Sequence, residues 1–142
     1  MTKRICYIKL RGYKYLLKKD YFYNIGVKGF DVATTYLELS SGGLLRVKAG
    51  YAWDGASGPT LDSRSSMRGS LIHDSIYQLI RLKKLPLKYR KIADCLLEQI
   101  CLEDGMWRVR AYCWERAVRF FAGLSARPGS EKPEKILCAP ED

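Results

Sequence analysis

The hydrophobic pattern of this chain changes its period once, and that change limits the folds open to it. Apolar and polar residues alternate over 35–39 and again over 44–49, with the turn-forming residues Ser41, Gly42 and Gly43 between them. A period of two is typical of half-buried β-strands, and the glycines favour a hairpin. From about residue 65 the apolar residues recur every three or four positions, as in amphipathic helices. The sequence therefore predicts an α+β fold, an N-terminal antiparallel β-sheet followed by a loop and a helical C-terminal part.

The C-terminal part is predicted to contain three helices, at about residues 65–81, 86–103 and 106–123. Pro86 suits the first turn of the second helix, and Gly105 suits its end. In the third helix, Trp107 and Trp114 share one side with other apolar residues, and arginines are interspersed among them. Two interpretations remain open. The aromatic side chains lie either in a core with arginines at its rim or on a surface that contacts an anionic bilayer.

The length of 142 residues is that of one compact domain. We predict a single domain over residues 1–124, with a β-rich part (1–52), a site loop (53–64) and a helical part (65–123). The remaining residues, 125–142, contain three of the five prolines and few large apolar side chains. They are predicted to form a mobile tail.

The formal net charge is +10, and it is unevenly distributed. Residues 1–50 carry ten basic and three acidic residues, whereas seven of the 15 acidic residues lie in the near-neutral middle of the chain, residues 51–105. This pattern indicates either a protein that touches something anionic or a surface charge that serves solubility alone. Nucleic-acid binding rests on charge alone, since no recognised motif accompanies it, and we do not expect it.

The five cysteines are odd in number and no two have Cys-x-x-Cys spacing. We therefore expect neither a disulfide framework nor a zinc site, and we expect the protein to reside in a reducing cytoplasm. Charged residues near the start, among them Lys3 and Arg4, occupy the place where a secretion signal has its apolar run. No stretch approaches the roughly 20 apolar residues of a membrane span.

The single histidine, His73, is the natural candidate for a general base, because its ordinary pKa lies near neutrality. Tyr77 follows four residues later, on the same face of the predicted helix. Asp94, in the middle of the next helix, is the best candidate to orient the imidazole if the two helices run antiparallel. Asp74 is then available for a hard cation such as calcium, with backbone carbonyls from the glycine-bearing loop around Gly55. The alternative is ordinary: a helical His-Asp pair is commonly a surface or capping feature, and Tyr77 also fits a core.

Four parts of the sequence form one pattern: the run from Asp54 to Pro59, Arg68, the segment His73–Tyr77, and Asp94 with the preceding alanine. This combination resembles a phage and prophage family known as domain of unknown function 1353. Two segments of the predicted third helix also resemble that family, so the match covers roughly residues 45–123. The resemblance implies a phage or prophage origin but no activity.

A glycine-bearing loop, a His-Asp-x-x-Tyr helix and a following helix with an aspartate are also similar to phospholipase A2. That resemblance implies that His73 activates a water that attacks an ester, with Asp94 orienting the histidine and Tyr77 supporting it. It also implies a calcium ion held by Asp74 and by loop carbonyls, which would come from around Trp53, Gly55 and Ser57. The cysteines that precede the histidine in that family are absent, and Ser70 and Leu71 stand in their place.

Two functions therefore remain open. The first is a calcium-dependent hydrolase that acts on anionic membrane lipid. The second is a non-catalytic phage protein, either a virion component or a factor that binds a phage or host protein, in which the His/Asp network is structural. Both place the chain in the host cytoplasm or the virion.

Overall fold

The computed structural model describes residues 4–10, 14–55 and 64–106. In these ranges seven short strands come first and two α-helices follow them, so the α+β prediction is confirmed. The strands are β1 (Tyr7–Lys9), β2 (Tyr15–Leu17), β3 (Tyr21–Asn24), β4 (Val32–Ala33), β5 (Leu37–Leu39), β6 (Leu44–Val47) and β7 (Ala52–Trp53). The helices are α1 (Arg64–Arg81) and α2 (Arg90–Glu103), with a 3₁₀ turn, Leu87–Tyr89, before α2.

The strands form two antiparallel sheets rather than the single sheet that we expected. The first sheet has the order β1-β2-β7, and the second has the order β3-β6-β5-β4. The predicted hairpin around Ser41–Gly43 is the β5–β6 pair, in which Leu37 lies opposite Val47 and Leu39 opposite Leu45. The difference arises because β7 pairs with the distant β2, and the alternation within a strand does not specify such a partner.

The alternating residues of β5 and β6 divide as the period of two predicts. Leu37, Leu39, Leu45 and Val47 are at most 1% exposed and face the interior. On the other face, Arg46 bonds with carboxylates from neighbouring segments, and one of these is Asp20. The second sheet therefore has one apolar face and one charged face, as is usual for an antiparallel sheet with one side in water.

The two helices form an antiparallel hairpin. Contacts join the start of α1 to the end of α2, through Arg68 and Asp104, and the middle of both helices, through His73 and Asp94. The second helix begins at Arg90, later than expected, because Pro86 precedes a separate 3₁₀ turn. The described ranges contain two α-helices. The predicted third helix, apart from its first residue, and the predicted mobile tail both lie outside them.

A single hydrophobic core joins both sheets to the helical hairpin. Its buried members include Leu17 of the first sheet, Leu45 of the second, Leu71 and Ile76 of α1 and Ile100 of α2. The end of β7 packs beside α1, where the indole of Trp53 donates a hydrogen bond to Ser70. Among the described helices, none is long and apolar enough to cross a lipid bilayer.

Candidate functional site

A close approach of the two helices places the candidate site in the interior of the hairpin. Gly69 of α1 faces α2, and a Cβ atom there would lie 2.8 Å from the Sγ atom of Cys101 and 3.2 Å from the carbonyl oxygen of Leu97. The absence of a side chain at residue 69 therefore lets the helix backbones approach each other. One turn further along α1, His73 is positioned against Asp94 of α2.

The Asp94 carboxylate is the centre of a buried hydrogen-bond network. It is fully buried, and its Oδ1 atom lies 2.8 Å from Nε2 of His73. The hydroxyl group of Tyr77 donates to the same oxygen at 2.7 Å. Because a carboxylate accepts, the Nε2 atom of His73 carries a proton, and this leaves the Nδ1 atom of a neutral imidazole unprotonated. The structure thus brings His73, Tyr77 and Asp94 together.

The ring of Tyr77 also fixes the orientation of the His73 imidazole. Their centroids are 4.2 Å apart, with an interplanar angle of 32°. The two residues lie one helical turn apart, so the contact follows from their spacing of four residues. His73 is only 3% exposed and Tyr77 only 2%, which leaves the imidazole little freedom to rotate.

The other ring nitrogen of His73 faces the more open side of the site. Its Nδ1 atom lies 3.5 Å from Oδ1 of Asp74, which is long for a strong hydrogen bond. The Asp74 side chain is 25% exposed, in contrast to the fully buried Asp94. The Asp74 side of the ring is therefore less deeply buried than the Asp94 side.

The environment of His73 favours its protonated form. Burial lowers the pKa of His73, but the hydrogen bonds with Asp74 and Asp94 and the charges of both carboxylates outweigh burial, so the pKa is raised. A neighbouring carboxylate has this effect because it stabilises the imidazolium ion.

The candidate loop residues that the structure describes lie next to the same part of α1. Trp53 is 3% exposed, and its bond to Ser70 holds the end of β7 one helical turn before Asp74. Gly55 has a φ angle of +71°, a conformation that glycine adopts without steric cost. Asp54, between them, is half-buried. Ser57 lies outside the described residues.

A buried tyrosine that the sequence did not single out, Tyr51, lies near the two loop-side carboxylates. Burial and the charges of Asp74 and Asp54 raise the pKa of Tyr51. A hydrogen bond with Ser75 and the charge of Arg81 lower it by a smaller amount, so the pKa is raised overall. Its hydroxyl group is therefore neutral at physiological pH. Tyr51 was missed because it comes at a strand end, 23 positions before Asp74, with no motif around it.

Arg68 is placed away from His73. Its guanidinium group donates to both carboxylate oxygens of Asp104, to Glu103 and to the hydroxyl oxygen of Tyr21. This arrangement ties α1 to the end of α2 and to β3. Arg68 thus has a structural role in the fold.

In the parts of the chain that the structure describes, no three histidine, cysteine, aspartate or glutamate side chains are grouped so that they could hold a metal ion. A cation at Asp74 would therefore need backbone carbonyl oxygens to complete its coordination. Such a mixture of carboxylate and carbonyl oxygens is one that calcium accepts.

Comparison with known proteins does not place the chain in a family. No family model matches it, and neither a curated protein nor a solved structure does.

Proposed function

We propose that this chain is a phage- or prophage-encoded hydrolase that cleaves a carboxylic ester of membrane lipid with a site of the phospholipase A2 type. One observation carries the proposal: a buried aspartate and a tyrosine fix His73 through Nε2 and leave Nδ1 on the more exposed side. A general base needs a fixed tautomer and a second ring nitrogen on the side from which the substrate approaches.

Each residue of the network then has a distinct task. Nδ1 of His73 accepts a proton from the attacking water. Asp94 keeps the Nε2 proton in place and stabilises the imidazolium ion that forms, as a carboxylate does for other histidine bases. Tyr77 acts as a positioning residue, because it donates to Asp94 and stacks on the imidazole.

Calcium is part of the proposal, and its donors would all be oxygen atoms. Asp74 would supply a carboxylate, and carbonyl groups of Trp53, Gly55 and Ser57 would supply the rest. Asp54, which neighbours two of them in sequence, is a second carboxylate candidate. A bound calcium ion would polarise the ester carbonyl group. The oxygen chemistry of these residues fits a hard cation.

The membrane side of the proposal includes the predicted third helix at about residues 106–123. Its interspersed arginines and tryptophans would suit an anionic bilayer surface. The protein would then act in the host cytoplasm or from the virion.

Fatty-acid release from mixed anionic liposomes tests the proposal. We expect release by the wild-type chain with calcium and none with a chelator. His73→Gln should lower the rate about 100-fold or more, because it removes the base. Tyr77→Phe should lower it about 10-fold, because it disturbs only the positioning of the base.

Cys95→Ser is the matched control, since Cys95 is exposed and directly follows Asp94. Its rate should equal that of the wild type. Far-ultraviolet circular dichroism and thermal melting would establish that every variant is folded. If folded wild-type protein released no fatty acid under any of these conditions, the hydrolase proposal would be wrong.

A second function is supported by the deep burial of the network. His73 is only 3% exposed, as expected of a histidine that specifies the fold of a non-catalytic virion or host-binding protein. Under this alternative, His73→Gln lowers the thermal midpoint, while binding to the phage or host partner is retained once the variant is folded.

A further inference from the structure

Arg81, in the last turn of α1, is a buried cation without an ion pair among the described residues. It is 9% exposed, and its Nη2 atom donates to the neutral side-chain oxygen of Gln78 at 2.8 Å. Its buried Nε atom has no hydrogen-bond partner within the described part of the chain. Buried charges in proteins are normally paired, because an unpaired one loses its hydration without compensation.

Arg68 shows how the same helix treats a buried guanidinium that serves the fold. Arg68 is 4% exposed, and carboxylates of Asp104 and Glu103 lie within 3.0 Å of its nitrogen atoms. Both arginines lie on α1, but the described carboxylates form ion pairs with Arg68 and not with Arg81. Among the described residues, Arg81 therefore lacks the carboxylate partners that Arg68 has.

The helix terminus does not account for the position of Arg81. The carbonyl groups of Gln78, Leu79 and Ile80 already accept hydrogen bonds from the backbone N–H groups of residues 82–85. The negative end of the helix dipole attracts a cation, but only weakly. An anion beside the guanidinium group would compensate the buried charge more completely.

Arg81 lies on the same face of α1 as Asp74 of the candidate site. It lies seven residues after Asp74, which is two helical turns along the same face and about 10 Å along the axis. Helical side chains lean toward the N-terminus of their helix, and the bond from Arg81 to Gln78 follows that direction. The charge of Arg81 lowers the pKa of the buried Tyr51 hydroxyl group, and the charge of Asp74 raises it, so both side chains are near Tyr51.

We infer that Arg81 binds a phosphate group next to the His73 site, where the hydroxyl group of Tyr51 would be a second donor. The guanidinium group would exchange its bond with Gln78 for charge-assisted bonds to phosphate oxygens, which Nε and an Nη atom can contact together. The phosphate could be free or belong to a lipid headgroup. The version of the inference in which the phosphate belongs to a lipid headgroup, the headgroup form, rests on the proposed function, whereas the anion site itself does not.

Thermal melting of the full chain in phosphate-free, calcium-free buffer tests the anion site. Inorganic phosphate at 10 mM should raise the wild-type midpoint by about 3 °C, if the affinity is near 1 mM. Sodium chloride at equal ionic strength should not. Arg81→Gln should abolish the rise, and without phosphate its midpoint should equal or exceed that of the wild type, because an uncompensated charge is removed.

Lys84→Gln is the matched control, because it removes one exposed positive charge three positions away. It should keep the phosphate response. The inference is overturned if chloride and phosphate act alike on the wild type, or if Arg81→Gln responds to phosphate as the wild type does. If Arg81→Gln does not fold, the NMR resonance of the Arg81 Nε–H group is followed in the wild-type chain as phosphate is added. A shift of that resonance supports the inference, and an unchanged resonance overturns it.

A second arm identifies the source of the phosphate. The probes are dihexanoylphosphatidylglycerol below its micellar concentration and dihexanoylglycerol, which lacks the phosphate. Arg81→Gln should weaken binding of the first about 10-fold or more and leave binding of the second unchanged. Arg81-dependent binding of inorganic phosphate but not of the phospholipid would support a free phosphate and overturn the headgroup form. Phosphate binding without any ester hydrolysis would support the anion site while the proposed function fails.

Discussion

Asp94 is the residue on which the geometry of the site depends most. It is fully buried, and one of its oxygens accepts bonds from both His73 and Tyr77. Removing a buried acceptor leaves its donors without a hydrogen-bond partner. The resulting loss in the free energy of unfolding is larger than the net contribution of the intact hydrogen bonds.

Substitution at Asp94 should therefore affect stability in a graded way. Asp94→Ala should lower the free energy of unfolding by about 3–5 kcal/mol, because His73 and Tyr77 lose their shared acceptor. Asp94→Asn should cost less, since the amide oxygen can still accept from Tyr77. Urea unfolding monitored by circular dichroism measures both.

Tyr77→Phe completes a double-mutant cycle with Asp94→Ala. Alone it should cost about 1.5–3 kcal/mol, the range for a hydrogen bond to a charged group. The two changes together should cost less than their sum, because both remove the same bond. Additive effects would show that Tyr77 and Asp94 are not energetically coupled.

At this scale the sequence was informative where residues are close along the chain. The pair His73 and Tyr77 follows from helical spacing alone. Asp94 required the further assumption of antiparallel helices, which the contacts in the structure agree with. Arg81 was not singled out, although its spacing from Asp74 is helical, because a motif does not reveal that a charge is buried without a partner.

The helical hairpin depends on the small size of Gly69. Glycine inside a helix normally destabilises it by about 1 kcal/mol relative to alanine. Here that preference should be reversed, because an added Cβ atom would meet Cys101 and Leu97 at distances shorter than normal contact.

Gly69→Ala should consequently lower the free energy of unfolding by about 1–2 kcal/mol, the net of overpacking and better helix propensity. In a double mutant with Cys101→Ala the cost of Gly69→Ala should be smaller, because the nearest atom is removed. Denaturant unfolding gives these values. Gly42→Ala is the control, since the nearest atom to a Cβ there is 4.0 Å away. A stabilising Gly69→Ala would mean that the helices are further apart.

Element positions were predicted best where periodicity was long. The first helix was expected at about residues 65–81 and spans Arg64–Arg81. The second begins at Arg90 rather than near Pro86, because the residues after a proline form a 3₁₀ turn that periodicity alone does not distinguish from an α-helix.

At the scale of the whole molecule, the charged face of the second sheet links segments that are distant in sequence. Asp20 accepts from the backbone N–H of Ala49 and from the Arg46 side chain, and Arg46 and Lys48 both reach Glu38. The bond from Ala49 and then that from Arg46 lower the pKa of Asp20, and bonds from Lys48 and Arg46 lower that of Glu38.

These shifts give the stability a defined dependence on pH. The folded chain binds protons at Asp20 and Glu38 less readily than the unfolded chain. The contribution of these two residues to the free energy of unfolding is therefore fully present when the pH is above their ordinary pKa values, 3.8 and 4.5. It is lost as the pH falls through the lower folded values. The thermal midpoint should therefore decrease with acid below about pH 4.5.

Asp20→Asn should reduce this acid sensitivity, because one titrating group is removed. Its effect at neutral pH should be small, since the surrounding ion pairs are exposed to solvent. Melting curves from pH 7 to pH 3 compare it with the wild type. An unchanged slope in the variant would exclude Asp20 as a contributor.

The pairing of β7 with β2 has a consequence for how the chain emerges during synthesis. Tyr15 lies opposite Trp53, so the middle strand of the first sheet receives its second neighbour only after more than thirty further residues have been made. Until then the β1–β2 hairpin has an open edge that can pair with another chain. Pairings between distant segments also form slowly, because a long loop must close first. The nascent protein thus has an interval in which a chaperone, or faster translation of residues 18–53, would protect it from association with its neighbours.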